Sequence, residues 1–311
     1  MIYKVIGIGE VLWDLMPAGR QLGGAPANFA FHARSLGANA SVITRVGEDS
    51  LGREILQRFN EMKIADGVMQ IDAGKPTGTV AVTLCEDGVP QFTIHEDVAW
   101  DWLAPTEAAQ SAVSEANAIC FGTLAQRNTR SRSCIRQLMA AAPAGALRIF
   151  DINLRQPYYS REIIEESLQM ANVLKLNDQE LPVLAGMFDL GIEPRQQMER
   201  LAELFHLQVI VLTRGPRGSF LYQDGRWSER VSEPVNVVDT VGAGDAFTAA
   251  LTMGLLNKLD LDQVHIFATQ VAGFVCSQAG ATPVLPTQLR NKFAAGGNGT
   301  SDSVIQIQHR A

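Results

Sequence analysis

Asp239-Thr240-Val241-Gly242-Ala243-Gly244-Asp245 runs without a break into a stretch that stays apolar almost all round to residue 257. Such a stretch is long enough for a buried helix, and small residues at its start let a ligand approach backbone N–H groups that a helix end leaves unpaired. The helix dipole favours negative charge at the same place, so Gly242, Ala243 and Gly244 read as an anion hole for a phosphate. Asp245, on the first turn, can accept the proton of a hydroxyl that attacks a phosphoryl group resting on those amides. The same residues also suit a plain glycine-rich turn whose aspartate only favours the dipole. In either case the carboxyl is expected near or below the reference pKa of about 3.9.

Outward from this stretch, strand-like and helical patterns alternate. Strand-like runs fall at 2–9, 40–46, 117–121, 147–151, 172–176 and 208–213. Alternation of this kind predicts an α/β fold with a mostly parallel central sheet, helices on both faces and ligands at the carboxyl ends of the strands. Between about 68 and 98 the rhythm breaks: Val80–Leu84 and Gln91–Ile94 flank Asp87-Gly88, a hairpin signal with no long helix between the runs. This region reads as a small β lid. A second hairpin is predicted from Ser219–Tyr222 and Arg226-Trp227, and 261–279 carries apolar residues at helical spacing. Residues 294–311 read as a flexible tail beyond a domain spanning 1–293.

A further segment, Gly23-Gly24-Ala25-Pro26-Ala27-Asn28-Phe29-Ala30 with Gly37 and Gly47 following, matches in order and distance the amino-terminal signature that accompanies Asp-Thr-x-Gly-Ala-Gly-Asp. With both motifs present, the chain resembles the ribokinase-like PfkB carbohydrate kinases over residues 1 to about 287. The resemblance implies a ribokinase-like fold whose lid is formed by about 68–98 and part of 10–24. It implies Asp245 as catalytic base and the Gly242-Ala243-Gly244 backbone as the phosphoryl site. Gly24, Asn28 and Asp14 are implied to contact the sugar, Asp14 from the carboxyl end of the first strand. Arg155, in Asp151-x-Asn153-x-Arg155, is implied to reach a phosphate or the sugar, although a salt-bridged surface arginine is an alternative. Thr213, Gly215 and Gly218 resemble the nucleotide loop, with Thr240 beside the ATP phosphates.

Asn177 and Glu180 resemble the Asn-x-x-Glu motif that tunes magnesium through water, and the same spacing also makes a helix capping box. A potassium site is implied from carbonyls near Asp239 and Thr240 and near Ser277 and Gly280. The lid segments look most like those of fructokinases, with few basic residues to hold a phosphorylated substrate. The expected reaction is therefore ATP-dependent phosphorylation of fructose to fructose 6-phosphate. Ribose, 2-keto-3-deoxygluconate and a nucleoside are the alternatives, and a non-catalytic binding regulator is a more distant one. An uncovered lid edge predicts a homodimer.

Bulk properties agree with a small-molecule enzyme. The 311 residues carry a formal net charge of -7, which disfavours nucleic acid or an anionic membrane as partner. Cys85, Cys120, Cys134 and Cys276 lie far apart and form no metal or disulfide pattern. The opening Met1–Gly7 reads as a strand rather than a signal peptide, and a cytoplasmic location is expected. No Gly-x4-Gly-Lys-Ser/Thr, HExxH or full dinucleotide fingerprint occurs.

Overall fold

The computed structural model describes residues 2–16, 19–64, 68–84, 90–232 and 234–293, so the Asp87-Gly88 turn, Cys85 and the 294–311 tail lie outside the described residues. In chain order the strands are β1 (Lys4–Ile8), β2 (Leu12–Met16), β3 (Gly19–Gly23), β4 (Asn39–Ile43), β5 (Arg45–Gly47), β6 (Gln70–Asp72), β7 (Gly78–Leu84), β8 (Pro90–Ile94), β9 (Ala118–Phe121), β10 (Leu147–Asp151), β11 (Val173–Asn177), β12 (Val209–Thr213), β13 (Ser219–Gln223) and β14 (Arg226–Arg230). Eight of them form one sheet in the order β14-β13-β12-β11-β10-β9-β1-β4. Pairing is parallel from β4 to β12, and β13 and β14 close that edge as antiparallel strands.

Side chains alternate across a strand, so a sheet covered on both faces needs apolar residues at consecutive positions. Val5, Cys120, Ile149, Val173 and Val209 enter one core, and their neighbours Ile6, Ile119, Phe150, Leu174 and Ile210 enter the other. The first core is covered by the helices Ala25–Ser35, Ala243–Leu256 and Leu261–Cys276. Helices Thr129–Ala140, Arg161–Met170, Glu180–Phe188 and Pro194–Phe205 cover the second. The Ala243–Leu256 helix is apolar nearly all round because it lies between its two neighbours and the sheet. Among the described residues, no helix is long and apolar enough to cross a membrane.

The lid is a four-stranded sheet in the order β3-β2-β7-β8. Two details differ from the sequence reading. Asp14 does not end the first strand; it sits inside β2, paired with Gln21 of β3, because the chain breaks at Gly9 and starts a new strand in the lid. Residues 70–72 pair with β5 in a separate two-stranded sheet rather than joining the lid. Trp100 anchors the lid from below: it is fully buried, and a side chain at Gly78 would run into its indole.

Candidate active site

The two glycine-bearing motifs meet in one hydrogen bond. Asn28, on the first turn of the Ala25–Ser35 helix, donates from Nδ2 to Oδ2 of Asp245 at 2.8 Å. Gly242 caps the Ala243–Leu256 helix with φ 78, a left-handed conformation that glycine adopts at little cost. A Cβ there would also run into the backbone of Ala281, so no larger residue fits. The Ala243 N–H reaches back 3.3 Å to the Thr240 carbonyl.

Asp245 is half-buried, and its pKa is raised to about 6 by burial and then by the Asp151 carboxylate, against the opposing hydrogen bond from Asn28 and the charges of Lys175 and Arg155. This corrects the expectation of an ordinary or lowered value. A helix N-terminus does favour the anion, but desolvation and a second carboxylate outweigh it. The group is thereby a better base than an exposed aspartate.

Among the residues expected from the sequence to contact a sugar, Gly24 has φ 112, and a Cβ there would press on the Glu10 carbonyl and Val11. Glu10, which sequence reasoning passed over, is buried beside it; burial raises its carboxyl to about 7 against backbone hydrogen bonds and the charge of Arg155. Asp14 is half-buried, and burial raises its pKa as well. Arg155 is exposed and bonded weakly, to the Leu154 carbonyl at 3.2 Å and Asn153 Oδ1 at 3.4 Å. It forms no ion pair among the described residues, contrary to the salt-bridged alternative.

Among the residues expected from the sequence to line a nucleotide, Thr213 ends β12, and Gly215–Arg217 make a single helical turn that leads to Gly218. Gly218 has φ 87, and any side chain on it would collide with the Arg230 carbonyl. Asn177 and Glu180 form the capping box in full: Asn177 Oδ1 accepts from Glu180 N at 3.0 Å, and Glu180 Oε2 accepts from Asn177 N at 2.8 Å. The other Glu180 oxygen accepts from Leu154 N at 3.0 Å. With both carboxylate oxygens engaged and the residue buried, this pair could reach a magnesium ion only through water.

Asp239 clips two segments together, accepting from Val241 N through Oδ1 and from Gly280 N through Oδ2, both at 3.0 Å. Thr240 is exposed beside it, and Ser277 donates its hydroxyl to the Phe274 carbonyl. Among the described residues, no three His, Cys, Asp or Glu side chains converge on a metal position. His32, on the Ala25–Ser35 helix, reads from the sequence as a packed rather than a catalytic histidine. It is fully buried and its Nε2 donates 2.9 Å to the Ala281 carbonyl, which braces the residue against which Gly242 packs.

One missed residue left a readable signal. Lys175 interrupts the apolar run Val173-Leu174-Lys175-Leu176, where a charge has no solvent to face. Glu10 left none, since its burial follows from how helices pack on the sheet.

Residues 16–288 match the sequence pattern of the pfkB family carbohydrate kinase group. A fructokinase of Klebsiella pneumoniae is 32% identical over 300 residues, covering 91% of this chain and 96% of that protein. The structure of an uncharacterized sugar kinase from Pyrococcus horikoshii in complex with ATP superposes with a TM-score of 0.78 at 28% identity, over 89% of this chain and 94% of that one. The structure of 2-dehydro-3-deoxygluconokinase from Thermotoga maritima shares the fold, with a TM-score of 0.82 at 18% identity over 95% and 99% of the two chains.

Proposed function

Because the chain belongs to the pfkB family of carbohydrate kinases, phosphotransferases that act on a sugar hydroxyl, we propose that it transfers the γ-phosphoryl group of ATP to fructose, forming fructose 6-phosphate and ADP. The observation that carries this reading is Asp245, held by Asn28 at the first turn of a glycine-capped helix. The sugar hydroxyl gives its proton to the Asp245 carboxylate as its oxygen bonds to phosphorus, and the bridging P–O bond to ADP breaks. The N–H groups of the Gly242–Asp245 turn receive the charge on the phosphoryl oxygens.

Fructose is favoured over a phosphorylated sugar by the pairing of cations around the lid. Arg20 bonds Glu54, Lys75 bonds Asp97 at 2.6 Å and Arg127 bonds Asp101 at 2.8 Å, which leaves little positive charge for a substrate phosphate. The likeness to a fructokinase over most of both chains points the same way. Arg155 supports a second reading, because a guanidinium near Asp245 that has no ion pair among the described residues would suit the carboxylate of 2-keto-3-deoxygluconate. ADP release measured with fructose, ribose, 2-keto-3-deoxygluconate and adenosine decides between them. We expect the highest kcat/KM with fructose, and a better result with any other acceptor overturns the substrate assignment.

Magnesium bound with ATP would neutralise charge on the phosphates, with Asn177 and Glu180 holding it through water. A potassium ion is proposed at the carbonyls near Asp239, Thr240, Ser277 and Gly280, where the Asp239 clip fixes both contributing segments. Activity should rise when potassium replaces a bulky organic cation in the buffer. Equal rates in the two buffers would remove this site.

A further inference from the structure

Asp151 and Lys175 stand opposite each other on β10 and β11, and both project onto the sheet face that carries the Ala243–Leu256 helix. Their side chains are each only 5% exposed, and Lys175 Nζ lies 3.0 Å from Asp151 Oδ1. The second oxygen of Asp151 accepts from the Thr248 hydroxyl at 2.8 Å, which ties the pair to the catalytic helix one turn below Gly244. The ammonium itself touches the functional turn, since a Cβ built on Gly244 would sit 3.0 Å from Nζ. Glycine at 244 therefore does more than admit a ligand: its missing side chain is the space into which the lysine head rises.

A buried ion pair is a costly choice in an apolar layer, where a Val or Leu at 175 would pack like its neighbours. The field at this turn accounts for it. Burial disfavours the charged form of Lys175, but the carboxylates of Asp151, Glu180 and Asp245 outweigh that and raise its pKa, so it remains an ammonium.

On the basis of the kinase reading, we propose that Lys175 is a positioning residue that sets a fixed positive charge beneath the Gly242–Asp245 turn, with Asp151 and Thr248 holding it in place. A cation in a low-dielectric setting adds to the dipole at the helix start, and it acts on charge that develops on the phosphoryl oxygens during transfer. It also balances the acids around Asp245. Asp245 feels Asp151, Lys175 and Arg155, and is felt in turn by Glu10. Cys120, buried in the same cluster, has its thiol pushed well up by burial and by the Asp151 and Asp245 carboxylates and stays neutral. In this set, Lys175 lowers the Asp245 pKa and Asp151 raises it.

Those opposite signs give the test. Wild type, Lys175→Met and Asp151→Asn are assayed with Mg·ATP and fructose across pH, with thermal unfolding recorded for each. Lys175→Met is expected to lower kcat at least ~10-fold while KM for ATP changes less than about threefold, because the interaction is made with the transition state. The acidic limb of its kcat/KM profile should move to higher pH than in wild type, whereas that of Asp151→Asn should move lower. A purely structural role would not move the two limbs in opposite directions.

The inference is overturned if folded Lys175→Met keeps a kcat within about threefold of wild type, or if its limb does not move. Should Lys175→Met fail to fold, the neutral pair Lys175→Met/Asp151→Asn replaces it: the same loss of kcat supports the inference and wild-type kcat sinks it. A wild type that phosphorylates no acceptor in the sugar panel brings down the kinase reading and this inference together. An active wild type with insensitive variants brings down this inference alone.

Discussion

At the scale of single residues, Asp245 carries two requirements that pull against each other. As the proposed base it has to be deprotonated to accept a proton, yet basic enough to bind one, and burial together with the Asp151 carboxylate raises its pKa to about 6. The sign follows directly: below that pH the carboxyl is protonated in the folded enzyme, so kcat/KM should fall as pH drops through about 6 and level off above it. Asp245→Asn removes the acceptor and keeps the shape. It should lower kcat by at least ~10²-fold while sugar and ATP binding, read by calorimetry, weaken far less. Near-normal kcat would exclude Asp245 from the chemistry. Loss of both binding events would mean that its bond to Asn28 serves only to hold the two motifs together.

At the scale of elements, the start of the Glu180–Phe188 helix poses a question that substitution can answer. Glu180 satisfies two half-buried N–H groups, of Leu154 and Asn177, and so joins the carboxyl ends of β10 and β11. Glu180→Ala removes both acceptors and should cost about 1 kcal/mol for each, seen as a lower melting temperature. If the same residue also holds magnesium through water, KM for Mg·ATP should rise in Glu180→Gln even where the fold is retained. A pure cap predicts a lower melting temperature with unchanged magnesium dependence. The lid can be treated in the same way: Trp100 carries the Arg127 guanidinium 4.0 Å above its ring, and Arg127 is paired to Asp101, so a polar clamp lies at the lid's base against the inner strand β7.

At the scale of the whole molecule, the central sheet closes its edges with the antiparallel β14 and with β4, while the lid leaves β3 and β8 at its margins. Edge strands with free backbone groups invite pairing with another chain. Sedimentation at micromolar concentration should therefore find a dimer, and charge reversal at Arg20 on β3 should shift the population toward monomer. A wild type that sediments only as monomer would exclude the lid as an interface.

The architecture was legible because α/β alternation depends on local hydrophobic period, and period is a property of consecutive residues. Six parallel strands, the glycine-capped helix and the closing hairpin all lie where the apolar pattern predicts them, within a few residues. Asp14 was misplaced, since the break at Gly9 that sends β2 into the lid depends on φ 147 and on Pro26 packed against that glycine, not on any local pattern. Of the candidate site, the two motifs that the structure brings together, the Asn28 segment and Gly242 to Asp245, were legible because each is a fixed order of neighbouring residues.

By itself, then, the sequence determined the layers of the fold, the glycine-rich start of the Ala243–Leu256 helix, and the family to which those two motifs belong. Only the tertiary structure decided that Asn28 bonds Asp245 across 217 positions, that the Asp245 carboxyl is raised rather than lowered, and that Lys175 lies under Gly244. The reason is physical. Secondary structure follows from short-range sterics and the hydrophobic period, whereas the charge state of a buried group is set by desolvation and by neighbours that are distant in the chain and adjacent only once the sheet has formed.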